Sequence, residues 1–409
     1  MNGPLDGVRV LDLSRVVAGP FGSMLLADLG AEVIKIEQPV VGDDLRRWGP
    51  PFAPNGDSTY FYSVNRNKLG ATIDLRTEAG RSVVRTLAGR SDVLIENFRV
   101  GMLDRLGLGY DALSEINPLL VFCSVSGFGQ TGPLASRPGY DVLVQAMSGL
   151  MSVTGEPEGR PMRVGVAIVD LCTGLYAAVG ILAALQARAV TGVGQRVDLS
   201  LLESAVSMLP NLTAGYLIAG EVPSRLGTGH PNVTPYGVFP TSDSHIVLAI
   251  GNDAQWARFC AAVERRADAV YDKNTQRMEH REKLEELVAS WCRDYSLEEL
   301  SDRLAKHDVP HGPVNSVPQI LADPQLQALG LVGEYPLRAA QTGRMVGVPL
   351  HFSSDRRTTH LPPPTLGGQT WNTLRAAGFS DPELADLQAD GAFGPGSVAD
   401  DEDVKESGQ

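Results

Sequence analysis

Apolar and polar positions come in blocks along the first two hundred residues, and the blocks change period in turn. VRVLDLS is a short apolar run that reads as a buried strand, and PFGSMLLADLG, with proline in its first turn and glycine at its end, reads as a helix. AEVIKIE reads as the next strand. Strand, helix, strand in that order is a βαβ unit, which implies a parallel sheet with helices on its faces. The alternation continues through the helix-like EAGRSVVRTLAGR, the strand SDVLIEN, the helix GMLDRLGL and the strand PLLVFCSVSGFG. It ends on VGVAIVDLCTGLYAAVGILAAL, residues 164–185. The β-branched first part predicts a strand over 164–169 and the Ala/Leu-rich remainder a helix over 173–188, with Asp170 at the junction.

The fold class expected is therefore α/β: a large Rossmann-like parallel-sheet domain over 1–225 and a smaller α+β domain over 226–330. In the smaller one GTGHPNVTPYGVFPTSDSHIVLAIGND predicts a hairpin around Ser242 and Asp243, and WARFCAAVERR and REKLEELVASWCRDY predict amphipathic helices. A segment over 331–390, with a strand pair and a last helix, is expected to return to the large domain. Residues 391–409, Gly/Ser-rich and then acidic, are expected to form a disordered tail.

Length supports two lobes, since 409 residues exceed what one hydrophobic core normally organises. A formal net charge of -13 argues against nucleic acid as a partner, so an anionic ligand must be met by local cations or backbone N–H groups. Residues 164–185 are long enough to span a bilayer, but Asp170 near the centre and the absence of a second such segment argue against a membrane role. The four cysteines form no CxxC or Cys/His cluster, which predicts reduced thiols, no metal site and a cytoplasmic location. No signal peptide is visible at the start.

The first βα turn, with Glu37 at the end of the second strand, invites a dinucleotide reading. Its loop, SRVVAGPFG, lacks GxGxxG, so an NAD-dependent oxidoreductase is a remote alternative. GxxxxGK[ST], GxSxG and HExxH are absent as well. The candidate for chemistry is Asp170. As a helix N-cap it would be merely structural; at the mouth of a parallel sheet beside a positive helix end, it would be an ionised carboxylate placed for catalysis.

Several ordered blocks carry a resemblance: LDGVRVLDLSRVVAGPFGSMLLADLGAEVIKIEQP, GDDLRRWGPPF, STYFYSVNRNK, DVLIENFRVGMLDRLGLGYD, SGFGQTGPLASRPGYD and SGLMSVTGEPEGRPMRVGVAIVDLCTGLYAA. Together they resemble the class III CoA-transferase (CaiB/BaiF) family. The resemblance implies CoA thioesters as substrates, no tightly bound cofactor, and an interlocked homodimer. It implies that Asp170 is the catalytic nucleophile, forming an aspartyl anhydride and then an aspartyl-CoA thioester. By position it implies CoA contacts from Val16, Val17, Asn65, Arg66, Asn67, Lys68, Asn97, Phe98 and Arg105, and an acyl-orienting role for Tyr140. Gln38 stands where the family often carries a basic residue.

The same family includes α-methylacyl-CoA racemases, whose GHD motif falls on Gly139, Tyr140 and Asp141. Tyrosine in place of the histidine leaves one base missing, so the racemase reading is the weaker alternative. GDDLRRWGPPF, SVNRNK and DLCTGLYA are most similar to enzymes that pair succinyl-CoA with glutarate, itaconate or malate. A distal carboxylate needs a cation, for which Arg46, Arg47 and Arg163 are candidates. His230, in GTGHPNVTPYG, stands where formate/oxalate enzymes carry a glycine run, and is expected to face a larger acyl group.

Overall fold

Six strands, β1 (Arg9–Asp12), β2 (Glu32–Glu37), β3 (Lys68–Thr72), β4 (Val93–Glu96), β5 (Val121–Ser126) and β6 (Arg196–Ser200), pair in the order β3-β2-β1-β4-β5-β6, all parallel. This computed structural model describes residues 3–54, 56–266, 268–337, 342–353 and 361–394. The α/β class holds. From β1 the chain runs outward to β2 and β3 on one side, then returns to β4 on the other. The carboxyl ends of β1 and β4 therefore form the switch point at which open α/β sheets leave a crevice.

The chain divides into two compact units. The larger comprises Met1–Leu150, Val164–Pro210 and Gly330–Gln409, the smaller Met151–Arg163 and Asn211–Leu329. The division thus falls at 210/211 rather than at 225/226, and an excursion over 151–163 goes with the smaller unit. Arg225 shows why: its guanidinium donates to the carbonyls of Glu156 (3.2 Å) and Gly159 (2.8 Å), knitting the two stretches together.

In the smaller unit β7 (Tyr236–Pro240), β8 (His245–Ala249) and β9 (His311–Pro313) form an antiparallel sheet, with the hairpin turning at 241–244. Trp256, Phe259 and Trp291 stack in its core at 5.7–6.3 Å between ring centroids. In the larger unit β10 (Val332–Pro336) and β11 (Thr342–Val346) form a hairpin. The helix Thr370–Ala376 docks on β3, where Thr370 Oγ1 accepts the Thr72 N–H (3.0 Å) and Thr373 Oγ1 donates to the Gly70 carbonyl (3.0 Å). Ala392 and Phe393 are fully buried, so the ordered chain runs past the expected tail boundary at 391; the acidic stretch beyond 394 lies outside the described residues.

One expected strand is absent. Residues 164–167 are not extended into a sheet, and a helix of 24 residues starts at Ile168 and runs to Thr191. Short apolar runs suit a buried strand and a buried helix equally. The edge position beside β5 goes instead to the polar RVDLS. The long helix packs on the helix Ala18–Asp28 through two glycines. A Cβ on Gly22 would sit 2.9 Å from the Gly174 carbonyl, and one on Gly174 would sit 2.7 Å from that of Ala18. Backbone meets backbone at this crossing.

Beneath the switch point lie two buried lysines. Lys35 Nζ donates to Asp43 (3.0 Å) and to the Ser14 carbonyl (3.0 Å). Lys68 Nζ donates to Asp12 (3.1 Å), the Pro20 carbonyl (2.9 Å) and Asn65 Oδ1 (2.9 Å). Burial by itself would push the Asp12 acid up, but the Lys68 and Lys35 ammonium groups and the hydroxyls of Ser14 and Ser23 outweigh it and hold the group at about 2. Arg66 is likewise buried against Asp28, which also accepts from Asn67 Nδ2 (2.7 Å). The expected side-chain CoA contacts over 65–68 are therefore corrected: these side chains are committed to internal partners, Asn65 to the Phe61 carbonyl (3.0 Å), Arg66 and Asn67 to Asp28, and Lys68 with its three protons already used.

Removing one partner of a buried charge pair leaves the other uncompensated. Lys68→Met should lower stability by ~3–5 kcal/mol in urea unfolding. A variant of wild-type stability whose KM for acyl-CoA had risen would instead restore Lys68 as a ligand.

Candidate active site

At the switch point lies a cavity of about 230 Å3. Its walls are residues 15–18 after β1, 97–100 after β4, 125–127 at the end of β5, 137–140, and Asp170 from the first turn of the long helix. Val16 takes a left-handed conformation (φ 66°), an unfavourable one for a β-branched residue. Its N–H donates to Asp43 (3.1 Å), and Asp43 is held by Lys35, so the buried pair fixes this turn. Asn97 spans the crevice, its Oδ1 accepting the Arg15 N–H (2.8 Å) and its Nδ2 donating to the Arg15 carbonyl (2.7 Å). The two loops flanking the switch point are thus one unit. Val17 and Phe98 complete this wall, with the Arg15 guanidinium 5.5 Å over the Phe98 ring.

Asp170 does not cap its helix. The N-cap position is Ala167, and the acceptor for the first-turn N–H groups comes from elsewhere: Asp141 Oδ1 takes those of Val169 (2.9 Å) and Asp170 (3.3 Å). The Asp170 carboxylate is half-buried, lines the cavity and accepts no hydrogen bond among the described residues. Burial pushes its acid up, the Asp141 carboxylate adds to the shift, and the group stands at about 7. This corrects the expectation of a carboxylate kept ionised by the helix end, because Asp141 occupies that end.

Three arginines line the cavity: Arg15, Arg99 and Arg137. Arg15 pairs with Asp44 (3.7 Å), whereas Arg99 and Arg137 are exposed and have no acidic partner among the described residues. A chain of net charge -13 thus places its cations locally, where an anion would enter. None of the three was singled out from sequence, although Arg99 directly follows IENF and Arg137 opens RPGYD. Asp141 was seen only as the neighbour of Tyr140.

The other candidates separate. Tyr140, 55 % exposed, lines the same cavity as Asp170. Arg46 does not serve as a free cation: its Nε and Nη2 clamp Glu37 (2.7 and 2.6 Å), Nη2 reaches the Pro364 carbonyl (2.9 Å), and its plane lies 3.8 Å over Phe61. The same clamp occupies Glu37, which removes the acid that a dinucleotide ribose would require. Arg47 is exposed and does not itself line the cavity, but it pairs with Asp44 (3.3 Å), which does. Arg105, on the helix Met102–Arg105, is exposed and does not line the cavity either. Arg163 and His230 belong to the smaller unit, where His230 lies 5.2 Å from Tyr236 and its Nδ1 accepts the Asn232 N–H (3.1 Å). Among the described residues, no group of His, Cys, Asp and Glu could hold a metal ion.

Residues 5–370 match the model of CoA-transferase family III. The chain is 42% identical over 372 residues to a succinate–glutarate CoA-transferase of Agrobacterium fabrum, covering 89% of this chain and 93% of that one. It is 41% identical over 384 residues to the human succinyl-CoA:glutarate CoA-transferase, covering 91% and 85%. Among solved structures, a CaiB/BaiF family protein from Brucella suis superposes with a TM-score of 0.82 at 39% identity, over 92% of this chain and all of that one. With a cavity at the switch point, a free carboxylate inside it and family likeness along nearly the whole length, the chain belongs to CoA-transferase family III and is a CoA-transferase.

Proposed function

We propose that this enzyme moves CoA from succinyl-CoA to a second dicarboxylate through covalent intermediates on Asp170. The observation that carries the proposal is the Asp170 carboxylate itself, which accepts no hydrogen bond among the described residues and lies in a cavity lined by three arginines. A carboxylate oxygen attacks the thioester carbonyl, the C–S bond breaks, and CoA leaves as thiolate, giving a mixed anhydride. The thiolate then attacks the aspartyl carbonyl, releasing the donor acid as carboxylate and leaving an aspartyl-CoA thioester. The acceptor carboxylate attacks that carbonyl, expelling thiolate again, and thiolate attack on the acceptor side of the new anhydride frees Asp170. Atoms and charge balance, with no water consumed and no ATP required. In this reading Tyr140 donates to the acyl oxygen, and the cavity arginines meet CoA phosphates or a distal carboxylate; their position on the cavity wall supports it.

The dicarboxylate assignment draws on the two relatives named for succinate and glutarate, and on Arg99 and Arg137, which have no acidic partner among the described residues. With a panel of dicarboxylates as acceptors, succinyl-CoA should exceed acetyl-CoA as donor by about tenfold or more in kcat/KM, the discrimination expected when only one of two substrates carries a charged group for the site to bind. Equal donors would overturn this part.

Asp170→Ala should abolish exchange, residual activity within tenfold of wild type being the result that refutes the mechanism. Hydroxylamine trapping followed by mass spectrometry should mark Asp170 in the wild-type enzyme. Because the nucleophile must be ionised and its acid stands at about 7, kcat/KM should fall as pH drops through about 7 rather than near 4.

A homodimer is part of the same proposal. Along the long helix, Val169, Thr173, Ala177 and Ile181 face inward, while Leu175 (50 % exposed), Tyr176 and Val179 (62 %) form an apolar stripe facing outward. A second copy of the chain would cover it. Light scattering should give twice the 43.7 kDa chain mass, and a monomer would refute the assembly.

A further inference from the structure

Asp141 stands behind the nucleophile without lining the cavity. Its Oδ1 accepts the N–H groups of Val169 and Asp170, and its Oδ2 accepts Gln145 Nε2 (2.6 Å). Gln145 is fully buried, and its Oε1 in turn accepts the Val164 N–H (2.9 Å). The helix Asp141–Met147 therefore grips both ends of the stretch 164–170 that delivers Asp170. A carboxylate at the third helical position, where Asp170 stands, commonly reaches back toward the N-cap, and a helix N-terminus readily takes an anion. Here the inner carboxylate, Asp141, has taken that place.

We propose that Asp141 is a positioning residue for CoA transfer: by occupying the first-turn N–H groups and holding residues 164–170, it keeps the Asp170 carboxylate unbonded and presented to the acyl carbon. Hydrogen bonds to a carboxylate stabilise its charge and weaken it as a nucleophile. A second fixed negative charge acts in the same sense as withholding those bonds. The inference rests on Asp170 being the nucleophile. The charged and titratable groups that share the cavity with Asp170 are Arg15, Asp44, Arg99, Arg137 and Tyr140, and the variants below leave all of them in place.

Asp141→Asn keeps an oxygen acceptor for the two N–H groups and removes the charge. Its kcat should fall a few-fold and the acidic limb of its pH profile should move to lower pH. Asp141→Ala removes both, and kcat should fall by about tenfold or more with KM for acyl-CoA within about threefold of wild type, as expected for lost alignment rather than lost binding. An Asp141→Ala enzyme with kcat within twofold of wild type, or an Asp141→Asn acidic limb that does not move, would overturn the proposal. The Asn variant alone decides if the Ala variant does not fold. Trapping on Asp170 keeps the two readings apart: an adduct in wild type with unaltered Asp141 variants refutes the positioning role only, whereas no adduct refutes both.

Discussion

Two ammonium groups sealed under the sheet set the geometry on which the rest of the site depends. Lys35 holds Asp43, and Asp43 holds Val16 in a conformation that a β-branched residue would otherwise leave. Lys68 holds Asp12, which gathers the Ser14 N–H and the hydroxyls of Ser14 and Ser23 at the carboxyl end of β1. A buried ion pair contributes little net stability over an apolar alternative, but it admits few arrangements. In this protein that restriction falls on the loop beneath the ligand cavity. Asn97 then carries the constraint across to the next strand.

The two carboxylates at the head of the long helix divide a task that one residue was expected to perform. Asp141 takes the electrostatic benefit of the helix end, and Asp170, half-buried at the cavity wall, is denied it. The result is a pair of similar groups in unlike environments, and under the proposed mechanism that difference separates a structural acid from a reactive one. Under the mechanism proposed above, the rigidity of the flanking loops would matter for the same reason, since an anhydride on Asp170 would have to be shielded from water between steps.

What the sequence disclosed follows from what each signal measures. β1, β2, β4 and β5 were legible because strands buried on both faces are continuous apolar runs. β3 was missed because KLGAT opens on a lysine and contains Gly70, whose bare backbone lies under Pro364, where a Cβ would come within 2.6 Å. β6 was missed because an edge strand is half polar. Asp170 could be singled out, since its motif is contiguous. Lys68, Arg66 and Arg46 were misread as ligands because their partners, Asp12, Asp28 and Glu37, lie far off in sequence or on another strand, and only folding reveals that the charges are already satisfied. Arg99 and Arg137 present the reverse case, ordinary surface cations until two loops bring them to one cavity.

The glycine crossing between the long helix and the helix Ala18–Asp28 has an evolutionary corollary. Because Gly22 and Gly174 meet through main-chain atoms, no side-chain exchange can adjust the spacing between the helix that carries Asp170 and the turn that carries Val16 and Val17. That spacing is inherited as a fixed length. If Asp170 is the nucleophile as proposed, variation in the acids handled would arise from the cavity's other walls, such as Arg99, Arg137 and Tyr140, while the Asp170 carboxylate stays where the backbone has put it. On that proposal, new substrate preferences would be acquired by drift at a few loop positions without disturbing the chemical step.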